Sequence, residues 1–192
     1  KAILFAYEKH NGQHRKSSKI PYIIHPFEVM SILLYEREVD SDIDDDLIIA
    51  SLLHDVNEDC NVSFEEIEKE FGTNVKNYVF NASEPEELRL KCKCKLETWK
   101  ERKQHTIDNI KYLDKKGKYL LCADKLANLN SILNDLICLQ DETKVWCKFN
   151  APKNEIKWYY SSCIKELNEI KESLMYKKIS FVYSLVFKEE IC

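Results

Sequence analysis

Apolar residues recur at intervals of three and four along most of this chain. Val29, Ile32 and Leu33 follow that spacing, as do Leu47, Ile48, Leu52 and Val56, and later Leu121, Leu126, Leu129 and Leu133. Such a period lays one apolar stripe along a helix. Gly12, Pro21, Pro26, Gly72, Pro85, Gly117 and Pro152 fall mostly between the periodic segments, where helices stop. The pattern predicts helices over about 1–11, 26–38, 43–59, 63–71, 73–82, 86–113, 118–139, 142–149 and 153–176. Ser63, three residues before Glu66, has the spacing of a capping box. Asp42, Asp44, Asp45 and Asp46 precede a predicted helix, as expected of acids that complement its N-terminal dipole. Only the C-terminal ISFVYSLVF alternates with period two. It reads equally as a strand, a docked helix or an apolar tail that pairs with another copy. The expected fold is all-α, a single helical domain over 1–175 with an apolar tail over 176–192.

Composition narrows the class. With 44% apolar and 32% charged residues, the 192-residue chain matches a globular protein with room for a sizeable core. Its apolar runs fall short of the roughly 20 residues a spanning helix needs, so no membrane partner is expected. The net charge of −4 and the lack of a basic stripe argue against a nucleic-acid polymer as partner. No leader pattern is visible, although the chain starts at Lys1 without a methionine, so upstream residues are expected. Eight scattered cysteines without CxxC pairs read as reduced thiols of a cytoplasmic protein. The lone CxC of Cys92 and Cys94 lacks the further ligands a metal needs.

The chemistry concentrates in HDVNED, residues 54–59, directly after the apolar LIIASLL. Charges beside a core need partners. On the helix predicted for 43–59, His54 and Glu58 share a face, as do Asp55 and Asp59. His54 and Asp55 offer one neutral nitrogen and one anionic oxygen, a ligand pair for a divalent ion. Two further residues are candidates to complete the set. His25 lies directly before Pro26 in PYIIHP, and Asp124 interrupts an apolar helical face in LLCADKLANLNSIL, with Asn128 one turn later. Each has an ordinary alternative: a solvated helix surface, a satisfied loop histidine, an aspartate paired with Lys125.

The order His…His-Asp…Asp resembles the HD superfamily of metal-dependent phosphohydrolases. Within it, AYEKHNGQHRKSSKIPYIIHPFEVMSIL, HDVNED with SFEEIEKEFGTNV, and ADKLANL are similar to three successive motifs of the RelA/SpoT-type alarmone hydrolases, over about residues 2–135. The resemblance implies an HD-domain helical bundle with a divalent metal, usually Mn2+, on His25, His54, Asp55 and Asp124. It implies that Glu58 and Asp59 activate or orient the attacking water, and that Asn128, Arg15 and Lys16 contact the nucleotide. Arg102 and Lys103 match a basic patch that touches substrate phosphates. The implied reaction removes the 3′-diphosphate of guanosine 3′,5′-bis(diphosphate) or its pentaphosphate relative as pyrophosphate.

Residue chemistry agrees with that implication. A divalent ion lowers the pKa of water toward neutrality and polarises a phosphoryl oxygen. Two neighbouring carboxylates raise one pKa, which suits a base working near pH 7. Ala127 stands where the family's third motif usually carries histidine or tyrosine, which leaves the base open between guanosine and adenosine. A 5′-nucleotidase and a non-catalytic nucleotide sensor are the competing readings, and a homo-oligomer stays open. Trp146, Phe149, Trp158, Tyr159 and Tyr160 read as core, unless Tyr159 or Tyr160 faces the pocket and reaches a phosphate. His10 and His105 are assigned to surface or core.

Overall fold

The computed structural model describes residues 1–90 and 98–188. The expected all-α class holds: no strand forms among the described residues, and one isolated bridge joins His14 to Pro21. The helices are α1 (Ala2–Lys9), α2 (Ile24–Arg37), α3 (Asp45–Leu53), α4 (Val56–Cys60), α5 (Phe64–Phe71), α6 (Thr73–Ala82), α7 (Glu86–Leu90), α8 (Trp99–Ile110), α9 (Lys115–Leu139), α10 (Glu142–Trp146), α11 (Lys153–Glu166) and α12 (Leu174–Phe187).

The longest of them, α9, forms the axis of the fold. It buries Leu120, Leu121, Cys122, Ala123, Leu126, Ala127 and Leu129, so most of its circumference is covered. Helices α12, α2, α3, α6 and α10 pack around it, and the pairing with α12 is the most extensive of all. ISFVYSLVF is therefore a docked helix. Ile179, Val182, Tyr183, Val186 and Phe187 face inward, while Ser180 and Ser184 donate to the carbonyls of Tyr176 and Phe181 one turn back. The start of α12 is held twice. Ser173 caps it by accepting from the Tyr176 N–H, and the buried Glu36 carboxylate of α2 accepts from the N–H groups of Leu174 and Met175 (3.0 and 2.7 Å).

Several boundaries differ from the periodic reading, each for a local reason. The helix predicted over 43–59 is two helices with a turn at His54 and Asp55. It opens on Asp44, whose carboxylate accepts from the Leu47 N–H, and closes on Asn61 in the left-handed conformation (φ 55°). Helix α2 starts two residues before the predicted 26, because Pro26 in a first turn has no N–H to lose. Helix α9 starts at 115, because Asp114 accepts from the Gly117 N–H (2.7 Å). The segment predicted as one helix over 86–113 holds both α7 and α8, and Cys92 and Cys94 lie outside the described residues. The segments 142–149 and 153–176 end early, at Trp146 and Glu166; a short 3-10 turn, Leu167–Ile170, precedes the Ser173 cap. Ser63 caps α5 as expected.

Candidate metal centre

Three segments meet at one point. His25 sits in the first turn of α2, where its N–H bonds the Tyr22 carbonyl (2.9 Å) and its ring is buried. His54 and Asp55 occupy the seam between α3 and α4. Asp124 projects from α9. The Nε2 atoms of His25 and His54 lie 3.3 Å apart. Asp55 Oδ2 is 3.0 Å from His54 Nε2 and 3.6 Å from His25 Nε2. Asp124 Oδ1 is 3.1 Å from His25 Nε2 and 3.8 Å from His54 Nε2.

The donors suit a divalent ion. His54 Nδ1 lies 2.7 Å from the Ser51 carbonyl, which can only accept, so Nδ1 carries the proton and Nε2 presents its lone pair to the cluster. The two Nε2 atoms and two carboxylate oxygens face one another, an arrangement that a cation at its centre would satisfy. Cis ligands about 2.1 Å from an ion stand about 3 Å apart. The pairs His54–Asp55, His25–Asp124 and His25–His54, at 3.0, 3.1 and 3.3 Å, approach that spacing. His25, His54 and Asp55 form a compact three-residue donor set. Without an ion, protons take its place. Burial alone would lower the pKa of His54, but the charge and hydrogen bond of Asp55, helped by Asp124, raise it to about 9. Burial would raise Asp55 and Asp124. Instead the imidazoles hold Asp55 far below the carboxylate range, and Lys125 with His25 does the same for Asp124.

Further polar side chains hold these four groups in place. The Tyr22 hydroxyl donates to Asp55 Oδ2 (2.7 Å), and burial together with the Asp55 charge pushes its pKa far up, so it stays a donor. Lys125 Nζ holds Asp124 Oδ2 at 2.5 Å, leaving Oδ1 for the cluster. Asn128 Nδ2 donates to Asp124 Oδ1 (2.6 Å), and Asn128 Oδ1 accepts from Arg15 Nη2 (2.9 Å). The Arg15 guanidinium lies over the Tyr22 ring (5.5 Å), whose ring also contacts His10. The sequence reading missed Tyr22 as a supporting residue and named Lys125 only as an ordinary partner of Asp124. Tyr22 stands three residues before His25, where a helix start brings it over the site.

From Arg15, Tyr22 and Asn128 a cavity of about 250 Å3 runs outward, lined also by Lys16, Ile132 and Phe149. The loop before α2 forms one wall. Gly12 turns it at φ 78°, the Tyr22 N–H bonds the Gln13 carbonyl, and the Arg15 N–H bonds the Ile20 carbonyl. Tyr160 faces this cavity, whereas Tyr159 is buried beneath Lys103 and Lys125. Ala127 is fully buried and lies outside the lining.

The remaining site candidates lie on α4 and α8. Glu58, on α4, accepts the Glu84 N–H (2.5 Å). Asp59 is exposed, and its carbonyl accepts from the Gln13 amide. Arg102 and Lys103, expected at substrate phosphates, are ion-paired to the Glu84 carboxylate at 2.5 and 2.8 Å and do not line the cavity. Glu84 was not singled out from the sequence. His10 is buried and His105 exposed. Cys60, Cys122, Cys138, Cys147 and Cys163 are free thiols. No helix among the described residues is long and apolar enough to cross a membrane.

Two histidines and two aspartates gathered from three helical segments form a candidate divalent-metal centre in a helical domain, and the chain belongs to the HD domain family, whose model matches residues 2–149. Among its relatives is guanosine-3′,5′-bis(diphosphate) 3′-pyrophosphohydrolase MESH1 of Xenopus tropicalis, 38% identical over 132 residues, which are 68% of this chain and 67% of that protein. The MESH1 protein of Drosophila melanogaster is 34% identical over 131 residues, 68% of this chain and 66% of its own length. A putative GTP diphosphokinase RSH1 of Arabidopsis chloroplasts is 38% identical over 128 residues, but these are only 13% of that longer protein. Two solved structures are similar at 26% identity. That of lmo0812 from Listeria monocytogenes has a TM-score of 0.71 over 91% of this chain and 100% of its own. The other, described as a metazoan orthologue of SpoT that hydrolyses ppGpp, has a TM-score of 0.70 over 95% of this chain and 91% of its own.

Proposed function

We propose that this chain hydrolyses guanosine 3′,5′-bis(diphosphate) and its pentaphosphate relative, releasing pyrophosphate and leaving GDP or GTP. The observation that carries the reading is the link from Asp124 through Asn128 to Arg15. It joins the four-ligand cluster to a cavity that also holds Lys16 and an aromatic wall. Curated relatives named for this activity support it.

A divalent ion on His25, His54, Asp55 and Asp124, with Mn2+ as the proposed metal, supplies Lewis-acid polarisation of a phosphoryl oxygen and acidifies water. The chain's own residues do the rest. Water adds to the phosphorus beside the 3′-oxygen, the P–O3′ bond breaks, and the 3′-oxygen departs with a proton. Glu58 is assigned the uptake of the water's proton, held in orientation by the Glu84 N–H, and Asp59 a supporting role beside it. Arg15 and Lys16 offset the phosphate charge, and Asn128 hydrogen-bonds the ribose. Arg102 and Lys103 act through Glu84 in this reading. With such a nucleotide goes a cytoplasmic setting, in which free thiols persist.

The test offers manganese-loaded protein a panel of guanosine and adenosine 3′-diphosphates and resolves the products. Pyrophosphate release that stops in Glu58→Gln, with nucleotide binding retained, is the expected result. Orthophosphate release would point to a 5′-nucleotidase, and binding without turnover in the unmodified protein to a sensor.

A further inference from the structure

The reading above puts the 3′-phosphate of a nucleotide at Asp124, and on that reading α9 acts as a ruler for the rest of the molecule. Asp124, Asn128, Ser131 and Asp135 are spaced by four, three and four residues and share one face of the helix. At 1.5 Å of rise per residue, Asn128, Ser131 and Asp135 stand roughly 6, 10 and 16 Å along the axis from Asp124. Asn128, Ser131, Ile132 and Asp135 all line the cavity. A nucleoside laid along this face sets its ribose at Asn128 and its base against Ser131, Ile132 and Phe149. The purine edge farthest from the sugar then meets Asp135.

Asp135 does not stand there alone. Lys148, from the turn after α10, lines the same cavity and holds Asp135 Oδ2 at 2.7 Å. The lysine side chain is 15% exposed and the aspartate 35%, so the lysine is largely withdrawn from water and the aspartate keeps about a third of its surface open. An acceptor with spare lone pairs and a donor with spare protons thus sit side by side at the end of the trough.

We propose that Asp135, with Lys148 beside it, reads the base and selects guanine over adenine. Guanine presents two parallel donors, N1–H and the 2-amino group, next to the acceptor O6. A carboxylate accepts two such donors at once, and an ammonium group donates to the neighbouring oxygen. Adenine has a lone pair at N1 and no 2-amino group, so the carboxylate loses both donors and faces an acceptor at N1. The fully buried Ala127, where the sequence left base preference open, has no part in this choice.

The test uses the full manganese-loaded chain and its Asp135→Asn variant. The guanosine and adenosine 3′,5′-bis(diphosphates) are compared by kcat/KM and, independently of turnover, by calorimetric binding. The unmodified protein is expected to favour the guanosine nucleotide by about ten- to a hundredfold, and Asp135→Asn to erase most of that ratio. Lys148→Met, which removes the donor to O6, should also lower the ratio and serves should Asp135→Asn fail to fold. An equal preference in the unmodified protein, or an unchanged ratio in the folded variants, overturns the assignment. If both nucleotides release pyrophosphate at an unchanged ratio, base selection by Asp135 fails while the pyrophosphohydrolase reading stands. If neither releases pyrophosphate, that reading fails, and the binding ratio still decides the role of Asp135.

Discussion

Replacing Glu84 with glutamine removes one charge from a largely buried triad and keeps its shape. The Glu84 side chain is 10% exposed, and its two cations, Arg102 and Lys103, are 12% and 22% exposed. Burial alone would raise the pKa of Glu84, but the charges and hydrogen bonds of Lys103 and Arg102 overcome it and bring the value from 4.5 down to about 2. At about 1.4 kcal/mol per pH unit, that shift corresponds to about 3 kcal/mol of native stability. For a chain of this size the loss should lower the melting temperature by about 6–12 °C. The folded pKa lies below the unfolded one. The contribution is therefore complete above pH 4.5 and vanishes as the pH falls through about 2. Urea unfolding of the unmodified protein and Glu84→Gln at pH 7, 5 and 3 reads this directly. The gap should hold between pH 7 and 5 and shrink to less than half at pH 3. A difference below about 1 kcal/mol at pH 7, the range of an exposed ion pair, would refute the reasoning, as would a gap that ignores pH.

Metal uptake should depend on pH through His54. Its pKa of about 9 without metal means a proton must leave before the ion binds, so apparent affinity should rise about tenfold per pH unit below 9 and level off above. The same raised value makes the metal-free protein lose stability as the pH climbs from 6.5 through about 9, since the stabilising proton is fully present only below 6.5. Melting curves with and without Mn2+ across that range check both statements, and a flat metal-free profile would contradict them. Tyr22→Phe should weaken Mn2+ binding by about ten- to a hundredfold through loss of the hydroxyl that holds Asp55, with the helical circular-dichroism spectrum unchanged. Calorimetric titration that finds equal affinity would remove Tyr22 from the site.

Three of the four proposed ligands were legible as conflicts with their surroundings, and His25 joined them only through the His…His-Asp…Asp order. His54 and Asp55 abut a core helix, and Asp124 interrupts an apolar face. The seam at His54 and Asp55 was not legible. No glycine or proline marks it, and the apolar period runs on from Leu52 to Val56 as though the helix were continuous. The alternating ISFVYSLVF could not be assigned by its pattern, because docking against α9 decides its conformation. Glu84 and Tyr22 act on partners 18 and 33 residues away, a distance at which spacing carries no signal.

The turn between α3 and α4 constrains how the gene can change. Asp44 fixes one end of the segment, Asn61 the other, and the Ser51 carbonyl clamps the imidazole between them. Adding or deleting one codon within α3 would swing His54 and Asp55 by about 100° around the axis and scatter the ligand set. Insertions and deletions among descendants of this sequence should therefore spare residues 44–61.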